Sequence, residues 1–472
     1  MTSSCLSKLE ITVWKPYALA AAGVPTMEHA RRRMMRTGQW APWQMLGRRM
    51  AIGCVALEIT QRCNLDCTYC YLSESSEALK DIPLIEVLRR IDLIHMHYGP
   101  GTDVQVTGGD PTLRRRDELV TIVRAIKARG MRASLFTNGI KASRDLLVEL
   151  CAAGLTDVAF HVDMTQERPG FGCEADLNAL RAEYIERARG LPVSVIFNTT
   201  VYTGNLNDIL ALARFFVDHA DVVRLASFQV GARTGRGSAG SSPSGRAVDP
   251  RTVRNAICEG AGTDLNFDAA STGHADCNGY AYGLIINGRM HDFFNDPGLV
   301  QEILASSAHV RLDRGDARGM RRVVARYLLS HPRVLARVSA RLARLIWKQR
   351  RDFIAARGRI GKLSFFVHQF MDADALERER CDACSFMVMT PEGPLSMCVH
   401  NAKRDDYLLV PAKVERANRM LYFNPASGQL EDRIPAKIAV TLTRKNARGT
   451  AKDALLSGEP SRAGNERLRE LA

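Results

Sequence analysis

No stretch of this 472-residue sequence reaches the roughly 18 consecutive apolar residues that a membrane-spanning helix needs. The apolar patch YALAAAGVP (17–25) is short and no small-residue cleavage site follows it, so no signal peptide is expected. Cysteine is scarce: the 12 residues are too few, in a long chain without a secretory signal, to suggest a disulfide framework. The expectation is reduced thiols in a cytoplasmic compartment, some as metal ligands, with Cys54, Cys151 and Cys258 as inert buried thiols. No internal repeat of fixed period is present. Acidic residues are almost missing from 310–360, where three Asp and no Glu stand against fourteen Arg and one Lys. That segment's net +12 is most of the chain's +14. A localised positive field implies an anionic partner surface or a solvated helix face. The aromatic spacing of a base-stacking platform is absent, so nucleic acid has no strong signal and an anionic membrane surface is the partner expected.

The remaining composition, 46% hydrophobic and 25% charged, is that of a globular protein, and the length implies two or three domains. From residue 55 to about 230, short β-rich runs alternate with amphipathic helical stretches. The strand candidates are VALEIT (55–60), DVQVTG (103–108), RASLFT (132–137), DVAFHV (157–162), VSVIFNTTV (193–201) and VVRLASFQV (222–230). Six strand-then-helix repeats predict an α/β fold with a parallel sheet, covered on both faces or curled into an incomplete barrel. Chemistry in such a barrel collects at the C-terminal strand ends. The expected divisions are a basic N-terminal extension (1–50), the core barrel (51–235), a C-terminal region (236–440) and a flexible tail (441–472). A Gly/Ser-rich linker (231–246) follows the barrel. Asn287-Gly288 and Pro391-Glu392-Gly393 mark two hairpins, and 310–360 reads as helical.

Directly after the first strand, QRCNLDCTYCY places Cys63, Cys67 and Cys70 in a C-x3-C-x2-C spacing with no fourth cysteine before Cys151. A structural zinc site is normally closed by four protein ligands. A four-iron cluster takes one ligand per iron, so three thiolates leave one iron open. With aromatic Tyr69 just before the third cysteine, this loop resembles that of the radical SAM enzymes. For the sheet, the resemblance implies the second of the two forms, a partial (β/α)6 TIM-like barrel with a smaller C-terminal α+β region. The resemblance implies a 4Fe-4S cluster on Cys63, Cys67 and Cys70, with S-adenosylmethionine chelating the open iron. It implies reductive cleavage to a 5′-deoxyadenosyl radical that abstracts hydrogen from the substrate, and an electron donor such as flavodoxin or ferredoxin. VTGGDPTL (106–113) stands at the second strand's end, where the family carries Gly-Gly-Glu-Pro. The resemblance assigns Gly108, Gly109 and Asp110, followed by Pro111, to the methionyl amino group of S-adenosylmethionine, Asp here replacing Glu. Asn138 in FTNGI and Asp163 in FHVDM end later strands, as does FNTTV (197–201), within reach of the ribose or carboxylate.

A second set, Cys381, Cys384 and Cys398, resembles the first half of the auxiliary-cluster extension found in many radical SAM enzymes. Cys277 is the fourth ligand expected, with His274 and His400 as alternatives, and the site takes a second 4Fe-4S cluster or a zinc ion. The stretch 365–401 and the Gly273-His274…Cys277 segment are similar to the tetraether lipid synthase branch, which joins lipid alkyl chains. The expected function is therefore hydrogen abstraction from an unactivated C–H bond, with a lipid chain as candidate substrate and peptide modification as the alternative. From another class, the alternative is a non-catalytic, zinc-stabilised module docking on membrane or nucleic acid. The amphipathic stretch 334–361, with Leu335, Val338, Leu342, Leu345 and Ile346 between arginines, fits a location peripheral to a membrane. Metal analysis separates the two classes. Anaerobically purified protein should be brown and hold iron and sulfide, whereas colourless protein holding only zinc would support the docking module.

Overall fold

The computed structural model describes residues 5–235, 248–312, 316–416, 419–435, 438 and 440. Most of the expected linker (236–246) and the expected tail (441–472) lie outside the described residues. Two helices, α1 (Lys8–Val13) and α2 (Thr26–Arg36), come first. Six strands follow: β1 (Cys54–Thr60), β2 (Asp103–Gly108), β3 (Arg132–Thr137), β4 (Leu155–His161), β5 (Ser194–Val201) and β6 (Val223–Val230). Between them run α3 (Leu84–Tyr98), α4 (Arg116–Ala128), α5 (Arg144–Ala153), α6 (Asn178–Ala188) and α7 (Ile209–Asp218). Adjacent strands pair in parallel and in chain order. The strand-helix rhythm of the sequence thus produces the expected parallel array.

Beyond α8 (Pro250–Ala261) lies a hairpin of β7 (Asn278–Ile286) and β8 (Arg289–Asp292). Its turn is Asn287-Gly288, with φ of 51° and 73°, the left-handed pair that a two-residue hairpin requires. Helix α9 (Pro297–Ser306) follows, and α10 (Ala317–Ser330), α11 (Pro332–Lys348) and α12 (Arg350–Ala355) occupy the arginine-rich segment. The chain then returns to the sheet. β9 (Gly361–Gln369) lies parallel to β6 and antiparallel to β7. After α13 (Arg378–Asp382), β10 (Phe386–Thr390) lies parallel to β1, and β11 (Gly393–Ser396) folds back on it. Thr390 pairs with Gly393, so the second turn is Pro391-Glu392 and the glycine already belongs to β11. The eleven strands run β11-β10-β1-β2-β3-β4-β5-β6-β9-β7-β8, and the sheet therefore crosses the boundary expected at residue 235.

This sheet is curled. β9 and β10 sit on opposite flanks of the six-strand array, yet the Phe366 and Phe386 rings are 6.0 Å apart and His368 stacks on Phe386 at 5.9 Å. Side-chain packing rather than a hydrogen-bonded ladder brings the flanks together. Burial alternates along β2 and β5: Val104 and Val106, like Val195 and Phe197, are covered, while Gln105 and Thr107, like Ile196 and Asn198, are only half-covered. The covered face packs under the helices, where Tyr184, Phe160, Phe197, Phe216, Phe228 and Phe365 form a chain of neighbouring rings 5.0–6.3 Å apart. Such contacts add geometric preference to the burial of large apolar area. The half-covered face, with its polar side chains, lines the barrel interior. Among β1–β6, continuous burial on both faces holds only for β1.

β1 also carries a carboxylate in its buried run. Glu58 is paired at 2.5 Å with Arg404, both nearly inaccessible, and also accepts from Gln61 Nε2 at 2.9 Å. Burial alone would raise the Glu58 pKa; the Arg404 guanidinium overcomes it and holds the carboxyl at about 2, below its ordinary 4.5. Because the folded pKa is depressed, this pair's stabilisation is complete above pH 4.5 and is lost as pH falls toward 2. Removing one partner leaves an uncompensated buried charge. Glu58→Gln or Arg404→Met should therefore cost about 3–5 kcal/mol, read as a shifted denaturant midpoint at neutral pH, and the double change should cost less than either single one.

Candidate active site

The three cysteines lie on the segment leaving β1, in a loop without helix or strand from Gln61 to Tyr71. All three are half-buried, and none forms a disulfide among the described residues. Three neighbouring strand ends fix this loop. From β2, Gly109 N donates to Thr60 O at 2.9 Å and Asp110 N to Arg62 O at 2.8 Å. From the end of β3, Asn138 Nδ2 donates to Asn64 Oδ1 at 2.7 Å and stands 4.0 Å from Cys63 Sγ. Beyond β4, Thr165 O accepts from Thr68 N at 2.8 Å, and Glu167 Oε1 accepts from Thr68 Oγ1 at 2.5 Å. Within the loop, Leu65 N points at Cys63 Sγ at 3.5 Å.

The Gly-Gly-Asp-Pro turn makes that fixation possible. A Cβ on Gly108, whose φ is 132°, would lie 1.9 Å from Thr60 O, and one on Gly109 would lie 2.0 Å from Arg62 O. Backbone meets backbone there, so no other residue fits. The resemblance gives Asp110 to a ligand amino group, but its buried carboxylate already has four protein donors. Thr112 N and Thr112 Oγ1 donate to Oδ1, Asn138 N donates to Oδ2 at 2.8 Å, and Thr137 Oγ1 reaches both oxygens, closest at 2.8 Å. Asp110 therefore ties β2 to β3, and Pro111 beside it is buried in the short turn that follows.

Asp163 makes an equivalent tie between β4 and β5. Fully buried, it accepts from Thr165 N at 2.9 Å and Thr200 N at 2.7 Å, and pairs with His161 Nε2 at 2.6 Å. Burial opposes its charge, but His161 and these donors hold its carboxyl at about 2. Burial likewise works against protonation of His161, whose pKa Asp163 nevertheless keeps above its ordinary value. Beneath them, the wholly buried pair of Arg181 and Glu174 grips the same turn: Arg181 donates to Val162 O at 2.8 Å, and Glu174 accepts from Met164 N at 3.0 Å.

The opposite wall is aromatic. Tyr69 lies 5.8 Å from the Tyr202 ring beyond β5, and a Cβ on Gly231, just past β6, would stand 3.2 Å from Tyr69. Burial, with Asp372 nearby, raises the Tyr69 phenol to about 12. His368 on β9 is buried, and its Nδ1 has no hydrogen-bond partner among the described residues. Burial and His161 push its imidazole down to about 3, so it stays neutral. Tyr202, His161, Thr200 and His368 are not singled out by the sequence. His161 and Thr200 do stand in the quoted strand ends, and His368 lies in a strand whose neighbour nothing local reveals.

The second cysteine set gathers across the two hairpins. Arg380 Nε donates to Cys277 Sγ at 3.4 Å, Met371 N to Cys398 Sγ at 3.5 Å, and Cys384 Sγ to Phe386 O at 3.0 Å. Burial raises the thiol pKa of Cys277 to about 11, with Arg380 opposing and Cys384 adding to the rise. Burial also raises Cys381 and Cys398, each further through Cys384 and Cys277. The four thiols therefore share one electrostatic neighbourhood. Of the two alternative histidines, His274 accepts from Asp276 N at 3.2 Å, and His400 lies 5.9 Å from Tyr407, near the Glu58–Arg404 pair. Among the described residues, no three His, Cys, Asp or Glu side chains converge as they do round a bound metal ion. The N-terminal segment covers this region: Leu6 and Ile11 pack with Met371, Leu376, Cys381 and Cys398.

The chain carries a domain, residues 57–216, that matches the model of the Radical SAM superfamily. It is 27% identical over 204 residues to the 7,8-dihydro-6-hydroxymethylpterin dimethyltransferase of Methanocaldococcus jannaschii, covering 42% of this chain and 40% of that protein. It is 28% identical over 185 residues to the PqqA peptide cyclase of Bradyrhizobium diazoefficiens, covering 37% of this chain and 46% of that protein. The chain thus spans less than half the length of either relative. Among solved structures, native anSMEcpe with bound AdoMet aligns with a TM-score of 0.32 at 16% identity, covering 43% of this chain and 58% of that one.

The glycine contact generates a test. Gly109→Ala should displace the Arg62 carbonyl and the loop behind it. Iron bound after anaerobic reconstitution should fall by half or more, while the circular dichroism of the α/β fold persists. Undiminished iron in a folded Gly109→Ala protein would contradict this role for the glycine.

Proposed function

We propose that this protein is a radical SAM enzyme acting on an unactivated C–H bond. The observation that carries the reading is the trio Cys63, Cys67 and Cys70: three half-buried cysteines at C-x3-C-x2-C spacing on one loop, inside the matched domain, held by three strand ends. This donor set fits a 4Fe-4S cluster with one iron left for S-adenosylmethionine. Cys63, Cys67 and Cys70 would hold the cluster, and with S-adenosylmethionine bound and one electron from a flavodoxin- or ferredoxin-type donor it would supply reductive cleavage of the sulfonium C–S bond, releasing methionine, for hydrogen-atom abstraction from the substrate.

The chain's own residues supply position and enclosure. The ties from Gly109, Asp110, Asn138 and Thr165 fix the direction in which the cysteine loop presents its thiols. The Tyr69 and Tyr202 rings wall the mouth against water, and buried, neutral His368 offers a hydrogen-bonding group without charge. Arg380 faces Cys277 and favours its thiolate, which suits an auxiliary site on Cys277, Cys381, Cys384 and Cys398. A second 4Fe-4S cluster is the occupant favoured there, with zinc as the alternative, and the reduced thiols accord with a cytoplasmic setting. The substrate favoured by the C-terminal likeness to tetraether lipid synthases is a lipid alkyl chain. A peptide is the second reading, since one relative is named a peptide cyclase.

Reduced anaerobically with S-adenosylmethionine, the protein should release 5′-deoxyadenosine. Cys63→Ala, Cys67→Ala or Cys70→Ala should reduce that release to background. Cys277→Ser should lower total bound metal without affecting the first cluster. Release undiminished in the three alanine variants would overturn the reading. An unchanged lipid profile in cells with and without the protein would remove the lipid substrate while leaving the enzyme class intact.

A further inference from the structure

The arginine-rich helices stand apart from the site, and their packing is sparse. Across α10, α11 and α12, the buried side chains among the described residues are Tyr327 and Val334, which meet Leu299 of α9 in a small separate cluster. The apolar stripe of α11, from Leu335 through Val338 and Leu342 to Leu345 and Ile346, is only half-buried along its length. Outside it, Leu329 is 74% exposed, Trp347 71% and Ile354 73%. These helices therefore leave apolar surface in water that their own domain does not cover.

The charges around that surface divide in two. Arg337 pairs with Asp296 and Glu302, and Arg341 donates to the carbonyls of Asp292 and Phe293, so these two anchor α11 to the fold. Arg321, Arg322, Arg326, Arg333, Arg344 and Arg351 form no ion pair among the described residues and are exposed. Arg344 and Trp347 stand three residues apart on one exposed helix face, and the guanidinium of Arg350 lies 5.2 Å from the Trp347 ring centre.

We infer that α10–α12 form a docking surface for an anionic lipid bilayer. Leu329, Trp347 and Ile354 would enter the boundary between headgroups and acyl chains, and Arg321, Arg322, Arg326, Arg333, Arg344 and Arg351 would face the lipid phosphates. Interfacial helices combine these elements: apolar anchors with Trp, a basic polar face and long side chains that reach back to water. No helix among the described residues is long and apolar enough to cross a membrane, so the contact lies on the surface. A nucleic acid would satisfy the arginines but leave Leu329 and Ile354 in water. A second copy would bring like charge against like charge. The inference stands independently of the cysteine chemistry, because vesicle binding is measured without turnover.

Full-length protein should co-sediment with phosphatidylcholine vesicles containing phosphatidylglycerol at least tenfold more than with phosphatidylcholine alone. High salt should weaken this binding, and Trp347 fluorescence should shift to the blue. Reversing charge at Arg321, Arg322, Arg344 and Arg351 should lower binding at least tenfold, and Leu329→Ser with Ile354→Ser should lower it severalfold, with the unfolding temperature of each variant recorded. As a variant-free check, the blue shift should be absent with phosphatidylcholine alone. Equal binding to both vesicle types, no binding, full binding by a folded charge-reversed variant, or binding to homopolymeric RNA but not to vesicles would each overturn the inference.

Discussion

The structure depends on the contact between two backbone segments at the C-terminal ends of β1 and β2. Gly108 and Gly109 approach the Thr60 and Arg62 carbonyls so closely that a single added carbon would overlap them. That contact fixes where the chain leaves β1, and so where three thiols stand. The neighbouring ties follow the same logic. Asp110 joins the ends of β2 and β3, Asp163 the ends of β4 and β5, and each is buried and surrounded by donors. Buried carboxylates are tolerated when their hydrogen-bonding capacity is filled. Here they make rigid a rim from which otherwise unstructured loops are hung.

The barrel closes by a different kind of contact. Its flanking strands come from residues 361–369 and 386–390, far along the chain, and they meet through Phe366, His368 and Phe386 rather than through hydrogen bonds. The Glu58–Arg404 pair then fastens the C-terminal segment to the first strand. The N-terminal residues complete the cover over the second cysteine set. Leu6 and Ile11 thus pack against the segment that carries Cys381 and Cys398, while the α10–α12 helices are only sparsely buried.

The parallel array is legible in the sequence because each of its signals is local. Alternating apolar residues mark the six strands, Gly99, Gly130 and Gly154 stop three helical stretches, and Asn287-Gly288 dictates a turn. The cysteine loop is legible for the same reason: spacing within twelve residues needs no tertiary information. What escapes is long-range. Nothing in FFVHQ says that it pairs with β6, so β9 and the placement of His368 cannot be read. Asp110 reads as a ligand contact because the sequence shows a carboxylate at a strand end but not the Thr137 hydroxyl and Asn138 amide that fill it. The arginine-rich segment declares its charge and periodicity at once, whereas the half-buried state of its apolar stripe emerges only from the packing.

The central claim is that the loop between β1 and α3 holds a cluster with one iron open to a small ligand. Electron paramagnetic resonance of the anaerobically reduced protein, with and without S-adenosylmethionine, tests it most directly. The account predicts the signal of a reduced four-iron cluster that changes on adding the sulfonium compound, and loss of that responsive signal in Cys67→Ala. A reconstituted protein without such a signal, or one whose spectrum ignores S-adenosylmethionine, would contradict it.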